Sequence, residues 1–398
     1  MKTVLATLAV VLAPLSVQAV TIDTVLIGNP SNAPDLQPQG LFGRVTTTYR
    51  IGVTEVTNAQ YTEFLNAVAA TDLYGLYDSF MGSLSIHGGI LRSGSQGSYT
   101  YDVKPTVSGG GPGGADYSYG DKPVVFVTWY DSIRFVNWLH NGQASGDTET
   151  GAYTLLGGTP TPSNANSIAR NSDAEWFLPT ENEWYKAAYY DASSSSYFDY
   201  PTGSDTAPNN NLPSADTGNS ANFLVGSNIT TGDLDYPYTP VGAYTLSDSA
   251  YGTFDQAGSV WEWNQTLFSA GVRGRRGGAW NSNSTTLGAP NQASHNAMFA
   301  TDSLGFRVAS VQEPDGLAGD FNNDGSVDAA DYVVWRKDSG TPAEYNDWWS
   351  NFGMTAPGGG SSAAAAVPEP ATLLLLLCTS VAILFKRRFS AVTDDAAL

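Results

Sequence analysis

The chain contains one cysteine, Cys378, which lies in an apolar run near the C-terminus. The rest of the sequence therefore cannot form internal disulfide bonds, bind a metal through thiolates or use a cysteine nucleophile. A fold without such cross-links depends on buried apolar side chains, and 10 Trp, 21 Tyr and 16 Phe residues supply large ones. Together with 42 Gly and 21 Pro, this composition predicts a loop-rich globular structure whose core relies on aromatic rings.

The balance of charges restricts the partners of the protein. The chain has 18 basic and 38 acidic side chains, and its formal net charge is −20. Because the sequence has no basic patch that could neutralise phosphates, we exclude nucleic acid as a partner. The acidity is compatible with solubility outside the cell and with binding of hard cations such as Ca²⁺.

Both ends of the chain carry features of targeting segments. Residues 1–19 combine an early lysine, an apolar run and small residues near Ala19, which predicts a secretory signal peptide. Residues 367–389 combine the VPEP motif, an apolar run and the basic cluster 386–388, and they resemble the PEP-CTERM sorting tail of exported bacterial proteins. This resemblance implies processing by an exosortase-type machinery; the alternative is an ordinary C-terminal membrane anchor. We expect an exported protein of the cell envelope or extracellular space, held to the membrane by its tail before processing.

Two segments in the middle of the chain change from a strand-like to a helix-like pattern. In residues 48–70 the period changes near Thr57, which is expected to cap a helix after a strand over residues 51–56. Residues 122–141 repeat this plan, with an apolar strand and then a helix that begins at Thr128 or Asp131. The side chains expected on the buried faces of the two helices are Tyr61, Phe64, Leu65, Val68, Ile133, Phe135, Val136, Trp138 and Leu139.

A third helix is predicted within residues 175–191. Thr180 and Glu183 have the spacing of a capping box at its start. Residues 71–120 and 192–220 are rich in small polar side chains and are expected to form long surface loops.

Six sequence blocks follow one another in a fixed order between residues 22 and 311. They are EVTNAQY, PVVFVTWYDSIRFVNWL, FLPTENEWYKAA, YGTFDQAGSVWEWNQT, RRGGAW and GFRVAS. In this order they resemble the sulfatase-modifying-factor domains of the formylglycine-generating-enzyme family. The resemblance implies an α+β fold of the C-type-lectin-like kind, with little regular secondary structure, over residues 22–311.

The RRGGAW block raises the question of catalysis. Family members that generate formylglycine use two cysteines after a GGxW-like turn, which bind copper and activate oxygen, and the resemblance places Ser282 and Leu287 at these positions. A hydroxyl does not replace a thiolate as a ligand of Cu(I). We therefore expect neither bound copper nor formylglycine-generating activity by that mechanism. Trp280, Asn291 and His295 are candidates for the lining of a substrate groove.

Other catalytic arrangements have little support in the sequence. Some branches of the family bind iron through histidines, but the only histidines here are His87, His140 and His295, and no HxxxHxE pattern is present. Iron is therefore not expected. The chain lacks a GxSxG motif, so a Ser-His-Asp hydrolase is not supported. Glu181 and Glu183 are interpreted as charges that stabilise a helix N-terminus.

The resemblance also implies Ca²⁺ sites at a GNVWEW-like turn and at an upstream Asn/Asp pair. Here the turn reads GSVWEW, so Glu262 is kept while Ser259 replaces the usual asparagine, which removes a favoured oxygen ligand. The upstream pair consists of Asn222 with either Asp233 or Asp235. The alternative is that Glu262 accepts backbone hydrogen bonds and that the neighbouring Trp residues belong to the core.

A second candidate calcium site lies in residues 319–337. Oxygen ligands occur at positions 1, 3, 5, 7 and 12 of a loop with glycine at position 6, which is the spacing of a looped Ca²⁺ site. The ligands are Asp320, Asn322, Asp324, the carbonyl of Ser326 and Asp331. Residues 319–353 thus resemble a small helical dockerin-like unit with one site, followed by a flexible linker over 354–366. The alternative is a polar linker that matches the pattern by chance.

Three hypotheses for the function follow. In the first, the protein is an exported sulfatase-modifying-factor-like domain without formylglycine-generating activity, which acts as a binding or structural module of the envelope. In the second, it is an oxidoreductase of the same family with diverged metal chemistry. In the third, the dockerin-like unit recruits the domain to a cohesin-like or other cell-surface partner.

Overall fold

The computed structural model describes residues 19–143, 145–311, 319–322, 326–337 and 340–355. Nearly all of the expected signal peptide, the whole sorting tail and Asp324 of the expected calcium loop lie outside these residues. No helix within the described ranges has the length and apolar character needed to cross a bilayer.

The described residues form short helices and strands joined by long connections. The helices are α1 (Asn58–Val68), α2 (Trp129–His140), α3 (Glu181–Tyr189), α4 (Ala329–Lys337) and α5 (Pro342–Asn351). The strands before α3 are β1 (Thr24–Ile27), β2 (Asp35–Gln37), β3 (Gly40–Phe42), β4 (Tyr49–Gly52), β5 (Ile90–Ser93), β6 (Thr100–Val103) and β7 (Trp176–Phe177). The strands after α3 are β8 (Tyr190–Asp191), β9 (Ser196–Tyr197), β10 (Leu224–Val225), β11 (Asn228–Ile229), β12 (Trp261–Ser269), β13 (Val272–Arg276), β14 (Ala293–Asn296), β15 (Leu304–Gly305) and β16 (Ala309–Ser310).

Each of the first three helices begins at a threonine. Thr57 accepts a hydrogen bond from the backbone amide three residues later, and the side chain of that later residue accepts one from the Thr57 amide. The same reciprocal pair joins Thr128 with Asp131 and Thr180 with Glu183. These capping boxes satisfy amide groups that a helix start leaves without partners. The predicted starts at Thr57 and Thr180 are confirmed, and Thr128 rather than Asp131 caps α2.

Two four-stranded sheets and four hairpins organise the described chain. The first sheet has the order β1-β4-β16-β7 and is antiparallel throughout, so it joins the beginning of the domain to its end. The second has the order β14-β13-β12-β15, in which β12 runs antiparallel to β13 and parallel to β15. The hairpins are β2-β3, β5-β6, β8-β9 and β10-β11. This combination of helices and short sheets is consistent with the expected α+β, C-type-lectin-like architecture.

The core is built largely from aromatic side chains, as the composition predicts. The ring of Phe135 on α2 lies 5.3 Å from that of Phe64 on α1 and 5.4 Å from that of Phe306. Edge-to-face pairs at these distances stabilise a core beyond the apolar area they bury. Every side chain of α2 from Trp129 to Leu139 is buried, so this helix forms the centre of the domain rather than one side of it.

The structure corrects the expectation that residues 71–120 form surface loops. Within this segment β5 and β6 form a hairpin, and Tyr101 on β6 donates a hydrogen bond from its hydroxyl to the carbonyl of Ala69 at the end of α1. Several of its side chains belong to the core, namely Leu76, Tyr77, Met81, Ile90, Tyr101, Tyr117 and Tyr119. The expectation is wrong because isolated apolar residues at irregular spacing carry no periodic signal and become a buried face only after long-range packing.

Two expected strands are also shorter or absent. The strand predicted over 51–56 ends at Gly52, and Val56 instead donates its amide to the carbonyl of Phe306 at 2.9 Å. The apolar run before α2 is buried but irregular: Phe126 has a φ of 61° and its amide donates to Thr301 O at 2.9 Å. A fully buried apolar run has no alternating pattern, so its backbone conformation cannot be deduced from periodicity.

Helices α4 and α5 form a small two-helix unit. Tyr332 on α4 contacts Trp348 on α5 with ring centroids 5.0 Å apart, and Trp335 contacts Tyr345 at 5.3 Å. The completely buried Val327 closes the unit because it exchanges backbone hydrogen bonds with residues 353 and 354. The helical character expected of residues 319–353 is therefore present.

Candidate functional site

The RRGGAW segment begins on β13, the second strand of the β14-β13-β12-β15 sheet. Residues opposite one another in an antiparallel pair project to the same face. Trp263 of β12 lies opposite Arg275, and Arg273 lies opposite His295 of β14. One face of the sheet therefore carries Trp261, Trp263, Arg273, Arg275 and His295.

The two glycines after β13 allow a sharp turn with positive φ angles, which side chains disfavour. Gly277 and Gly278 have φ values of 100° and 74°. A Cβ atom on Gly278 would lie 2.7 Å from Oγ1 of Thr286, which is closer than side chains tolerate. The turn delivers Trp280 to a buried position, where its amide donates to Ser259 O at 2.9 Å.

The two positions that correspond to the family's cysteines have different surroundings. Ser282 is half-buried and takes part in backbone hydrogen bonds with Ala279 and Leu224. Leu287 is completely buried and belongs to an apolar cluster. The other buried members of this cluster are Ala221, Phe223 and Ala257. Since Leu287 fills a core site, Ser282 is the one of these two positions that presents a polar side chain.

The groove candidates do not form one continuous set. Trp280 contacts the rings of His87 and Tyr238, at centroid distances of 5.6 and 6.4 Å. His295 instead stacks on Phe299 at 3.7 Å. The carbonyl of Asn291 accepts a hydrogen bond from the guanidinium of Arg276 at 2.7 Å, and its side-chain Oδ1 is buried without a hydrogen-bond partner.

His87, which carried no motif in the sequence, links three loops around Trp280. Its Nδ1 lies 2.7 Å from Asp302 Oδ2, and its Nε2 lies 2.7 Å from the carbonyl oxygen of Leu234. The hydrogen bond to Asp302 raises the pKa of His87 above its ordinary value, although burial acts in the opposite direction. A lone histidine in a polar segment gives no such signal, because its partners lie more than 100 residues away in the sequence.

Glu262 of the GSVWEW turn forms a fully buried ion pair. Its carboxylate accepts two hydrogen bonds from the guanidinium of Arg307, at 2.6 and 2.7 Å, and a third from Nε1 of Trp184 at 2.7 Å. Neither side chain of the ion pair is exposed. These bonds orient the carboxylate toward Arg307 and Trp184, so Glu262 lies in the core as the alternative expects, but its donors are side chains rather than backbone amides.

The carboxyl groups of Glu55 and Asp255 also lie near Arg307, but neither forms an ion pair with a described residue. Both oxygens of Glu55 are buried and have no hydrogen-bond partner. Burial raises the pKa of Glu55 well above its usual range, and repulsion by Asp255 and Glu262 adds to the effect. Burial likewise raises the pKa of Asp255 to about 6. We infer that the folded protein binds the proton of Glu55 more tightly than the unfolded chain does.

Asn222 is the member of the expected family calcium site whose surroundings suit a ligand. Its backbone carbonyl accepts the amide of Ser259 at 2.8 Å, and its Nδ2 donates to Pro237 O at 2.9 Å. Its Oδ1 is buried and has no hydrogen-bond partner, which is the state expected of an oxygen that coordinates a hard cation. Asp233 and Asp235 are exposed on the following loop, and the structure does not decide between them.

The loop before α4 keeps part of the predicted ligand set together. Asp331 is completely buried and accepts hydrogen bonds from the backbone amides of Asn322, at 2.9 Å, and Asp328, at 2.8 Å. Asp320 is buried as well, whereas Ser326 is half-buried. Asp331 thus closes a loop that starts near residue 320. Within the described residues, no group of three or more His, Cys, Asp or Glu side chains is arranged to hold a metal ion.

Glu181 and Glu183 occupy the first turn of α3, as interpreted from the sequence, and both also form ion pairs. Glu181 pairs with Arg276 at 2.7 Å, and Glu183 pairs with Arg170 at 3.0 Å. They therefore stabilise the scaffold twice, through the helix N-terminus and through a cation from another segment.

Comparisons with known proteins identify the domain by its sequence. Residues 38–311 match the sulfatase-modifying factor enzyme 1-like domain. A search of curated proteins gives no match. Among solved structures, CarF superposes with a TM-score of 0.49 at 21% identity, covering 74% of this chain and 99% of that one. Variable protein 1 of Treponema denticola superposes with a TM-score of 0.47 at 20% identity, covering 75% of this chain and 98% of that one. PvdO from Pseudomonas aeruginosa superposes with a TM-score of 0.39 at 14% identity, covering 73% of this chain and 92% of that one.

The sequence match includes more than half of the chain and contains the second sheet, the GG turn and the buried Glu262–Arg307 pair. The chain belongs to the family of sulfatase-modifying factor enzyme 1-like domains.

Proposed function

We propose that this protein is an exported, non-catalytic member of its family, and that it acts at or outside the bacterial cell envelope by binding. The observation that carries the proposal is the burial of Leu287 in an apolar cluster at a position where the family resemblance expects a cysteine. An apolar side chain in the core offers no ligand to copper, and Ser282 offers only a hydroxyl, which Cu(I) binds poorly. The residues present therefore do not fit the family's copper centre.

Metal analysis of the purified full-length chain tests this proposal. The protein is loaded with Cu(I) or Fe(II), dialysed, and assayed for metal content and for oxygen uptake with a cysteine-containing peptide. We expect far less than one metal ion per chain and no oxygen uptake above the buffer. A stoichiometric metal that disappears in the variant His295→Ala, together with oxygen uptake, would instead establish the oxidoreductase with diverged metal chemistry.

Calcium is part of the proposal as a structural ion. Asn222 supports it, because a buried amide oxygen without a hydrogen bond costs stability unless a cation or water satisfies it. Asp233 or Asp235 would complete the site. Ca²⁺ should then raise the unfolding temperature of the wild type over an EDTA control, and Asn222→Ala should reduce the increase; an equal increase in both proteins would contradict this role of Asn222.

A second candidate function is attachment through the two-helix unit, which resembles a dockerin repeat. Asp331 favours it, since this carboxylate is buried against the loop at the position of the twelfth ligand. The test is binding of Tb³⁺ to the full chain, read as luminescence sensitised by the tryptophans of the unit. Asp331→Asn should remove one Tb³⁺ site from the titration, and this same site should persist in Asn222→Ala; a cohesin-like partner would then be sought with the wild type and Asp331→Asn as matched baits.

Export and membrane attachment complete the proposal. The sequence features of residues 1–19 and 367–389 support a cleaved signal peptide and a C-terminal tail for exosortase-type processing. Fractionation of bacteria that express the full chain should place it in the envelope or medium, and mass spectrometry of the mature protein should find both ends removed. Recovery of the intact chain from the cytoplasm would contradict this part.

A further inference from the structure

Arg275 differs from the other inward-facing arginines of the described chain in having no partner for a side-chain hydrogen bond or ion pair. Arg134, Arg170, Arg276 and Arg307 each form an ion pair with a glutamate. Arg273 donates to the carbonyl oxygens of residues 165, 168 and 265. Arg275 makes no side-chain hydrogen bond or ion pair with a described residue, and its Nε is buried without a partner. A half-buried cation without a counter-charge costs stability.

Two aromatic rings enclose this part of the sheet face. The guanidinium of Arg275 lies 4.4 Å from the ring centroid of Trp261, so one side of its plane is covered by an indole. His295 projects from β14 to the same face as Arg275. Its imidazole ring stacks on the ring of Phe299, with centroids 3.7 Å apart. Arg275 and His295 therefore lie on one face of the sheet, beside Phe299, which is 39% exposed.

His295 provides a second polar atom without a protein partner. Its Nδ1 is buried and makes no hydrogen bond. Burial and the nearby charge of Arg275 lower the pKa of His295 below its ordinary value, so the ring is neutral at pH 7. The local charge is then +1, on a protein whose formal net charge is −20.

We propose that Arg275 and His295, with Trp261 and Phe299 as walls, form a subsite for the carboxylate group of a ligand. This assignment rests on the proposal that the domain acts by binding. A single positive charge matches a singly charged carboxylate better than a phosphate, which usually takes several donors or cations. Because Trp261 covers the plane of the guanidinium and Nε is buried, the ligand approaches end-on and accepts from the two terminal nitrogens. His295 then donates a hydrogen bond to the same group from Nε2, because its Nδ1 is buried.

Benzoate is a suitable probe for this subsite, because its ring can lie against Phe299 while its carboxylate faces Arg275. Its binding to the full-length protein is measured by isothermal titration and by tryptophan fluorescence. Benzamide has the same shape without the charge and is expected to bind at least about tenfold more weakly. Inorganic phosphate is expected to compete poorly with benzoate.

Three variants separate the subsite from the fold. Arg275→Gln should weaken benzoate binding at least about tenfold, and Arg275→Lys should weaken it less, because the charge stays but the planar fork is lost. Arg44→Gln removes an exposed arginine elsewhere on the surface and should change nothing. Urea unfolding of each variant shows whether it is folded, and Arg275→Lys keeps the test valid if Arg275→Gln unfolds.

Competition by two peptides shows whether the natural carboxylate is a chain end or a side chain. The peptides are acetyl-triglycine with a free C-terminus and acetyl-Gly-Asp-Gly amide. Competition with benzoate by the first indicates a chain end as the natural ligand, and competition by the second indicates an acidic side chain. Equal binding of benzoate and benzamide, or unchanged benzoate binding in both folded Arg275 variants, would overturn the subsite. Neither result affects the proposal that the domain lacks copper chemistry, which only metal analysis and oxygen uptake can contradict.

Discussion

His87 and Asp302 are 215 positions apart in the sequence, yet Nδ1 of the imidazole lies 2.7 Å from Oδ2 of the carboxylate. The second ring nitrogen lies 2.7 Å from the carbonyl oxygen of Leu234. Both neighbours are acceptors, so each nitrogen must carry a hydrogen to make its bond, and only the protonated ring has two. The imidazolium therefore ties three loops together beside Trp280.

This arrangement predicts that stability depends on pH. The pKa of His87 is raised in the folded protein, so its contribution is fully present below the ordinary histidine pKa and is lost as the pH rises through the raised value. Asp302→Asn should destabilise the protein by about 1 kcal/mol at acidic pH and by less at pH 8 and above. The estimate is modest because the Asp302 side chain is 32% exposed.

Urea unfolding across this pH range provides the measurement. Asp302 and Asp235 are the acidic groups whose charges act on His87, and Tyr238 and Trp280 supply its ring contacts. Asp248→Asn, at an exposed aspartate, is the matched control. A destabilisation by Asp302→Asn that is the same at every pH would show that the ring is not protonated.

The buried pair of Glu262 and Arg307 predicts a large effect from a small change. Glu262→Gln keeps the shape of the side chain but removes the carboxylate that is hydrogen-bonded to Arg307 in the core, which should cost about 3–5 kcal/mol. Glu63→Gln makes the same chemical change at an exposed position of α1 and should cost less than about 1 kcal/mol. Chemical denaturation of both variants gives the comparison, and similar losses would mean that the buried pair has no special role.

The parts of the fold that obey local rules could be predicted from the sequence. The starts of α1 and α3 were predicted because capping depends on residues within one turn: Thr57 stands where the period changes, and Thr180 has a glutamate three positions later. The buried hairpin β5-β6 was missed because its apolar residues have no regular spacing and are buried only by contacts with distant segments. Hydrophobic periodicity predicts the buried face of a regular helix or strand. The burial of an irregular segment depends instead on contacts across the whole domain.

The same division applies to the candidate site. The sequence shows that no cysteine stands near Ser282, and this absence needs no structure. The partners of His87 and the unpaired state of Arg275 depend on contacts between segments, so no pattern in the sequence could reveal them. The sequence left two roles open for Glu262, a calcium ligand or a hydrogen-bonded core residue. The ion pair with Arg307, which favours the core role, becomes visible only in the structure.

Glu55 predicts a stabilising substitution. Because burial raises its carboxyl pKa, the folded protein binds this proton more tightly than the unfolded chain, so stability falls as the pH rises above the ordinary pKa of glutamate. Glu55→Gln removes this dependence and should raise the unfolding temperature progressively between pH 5 and pH 8. Glu63→Gln, at an exposed position of α1, should not. A loss of stability in Glu55→Gln at all pH values would show that the carboxylate is charged and satisfied by a bound cation.

Cysteines introduced at the two family positions test how differently the fold treats them. In a Cys378→Ser background, Ser282→Cys places a thiol at a half-buried site, whereas Leu287→Cys places it inside an apolar cluster. The first thiol should react readily with a water-soluble thiol reagent, and the second should react only when the protein unfolds. Leu287→Cys should also destabilise the protein by about 2 kcal/mol, because it leaves a cavity. Equal labelling of both thiols in the folded protein would mean that position 287 faces an open crevice, and the physical case against a metal centre would then rest on Ser282 alone.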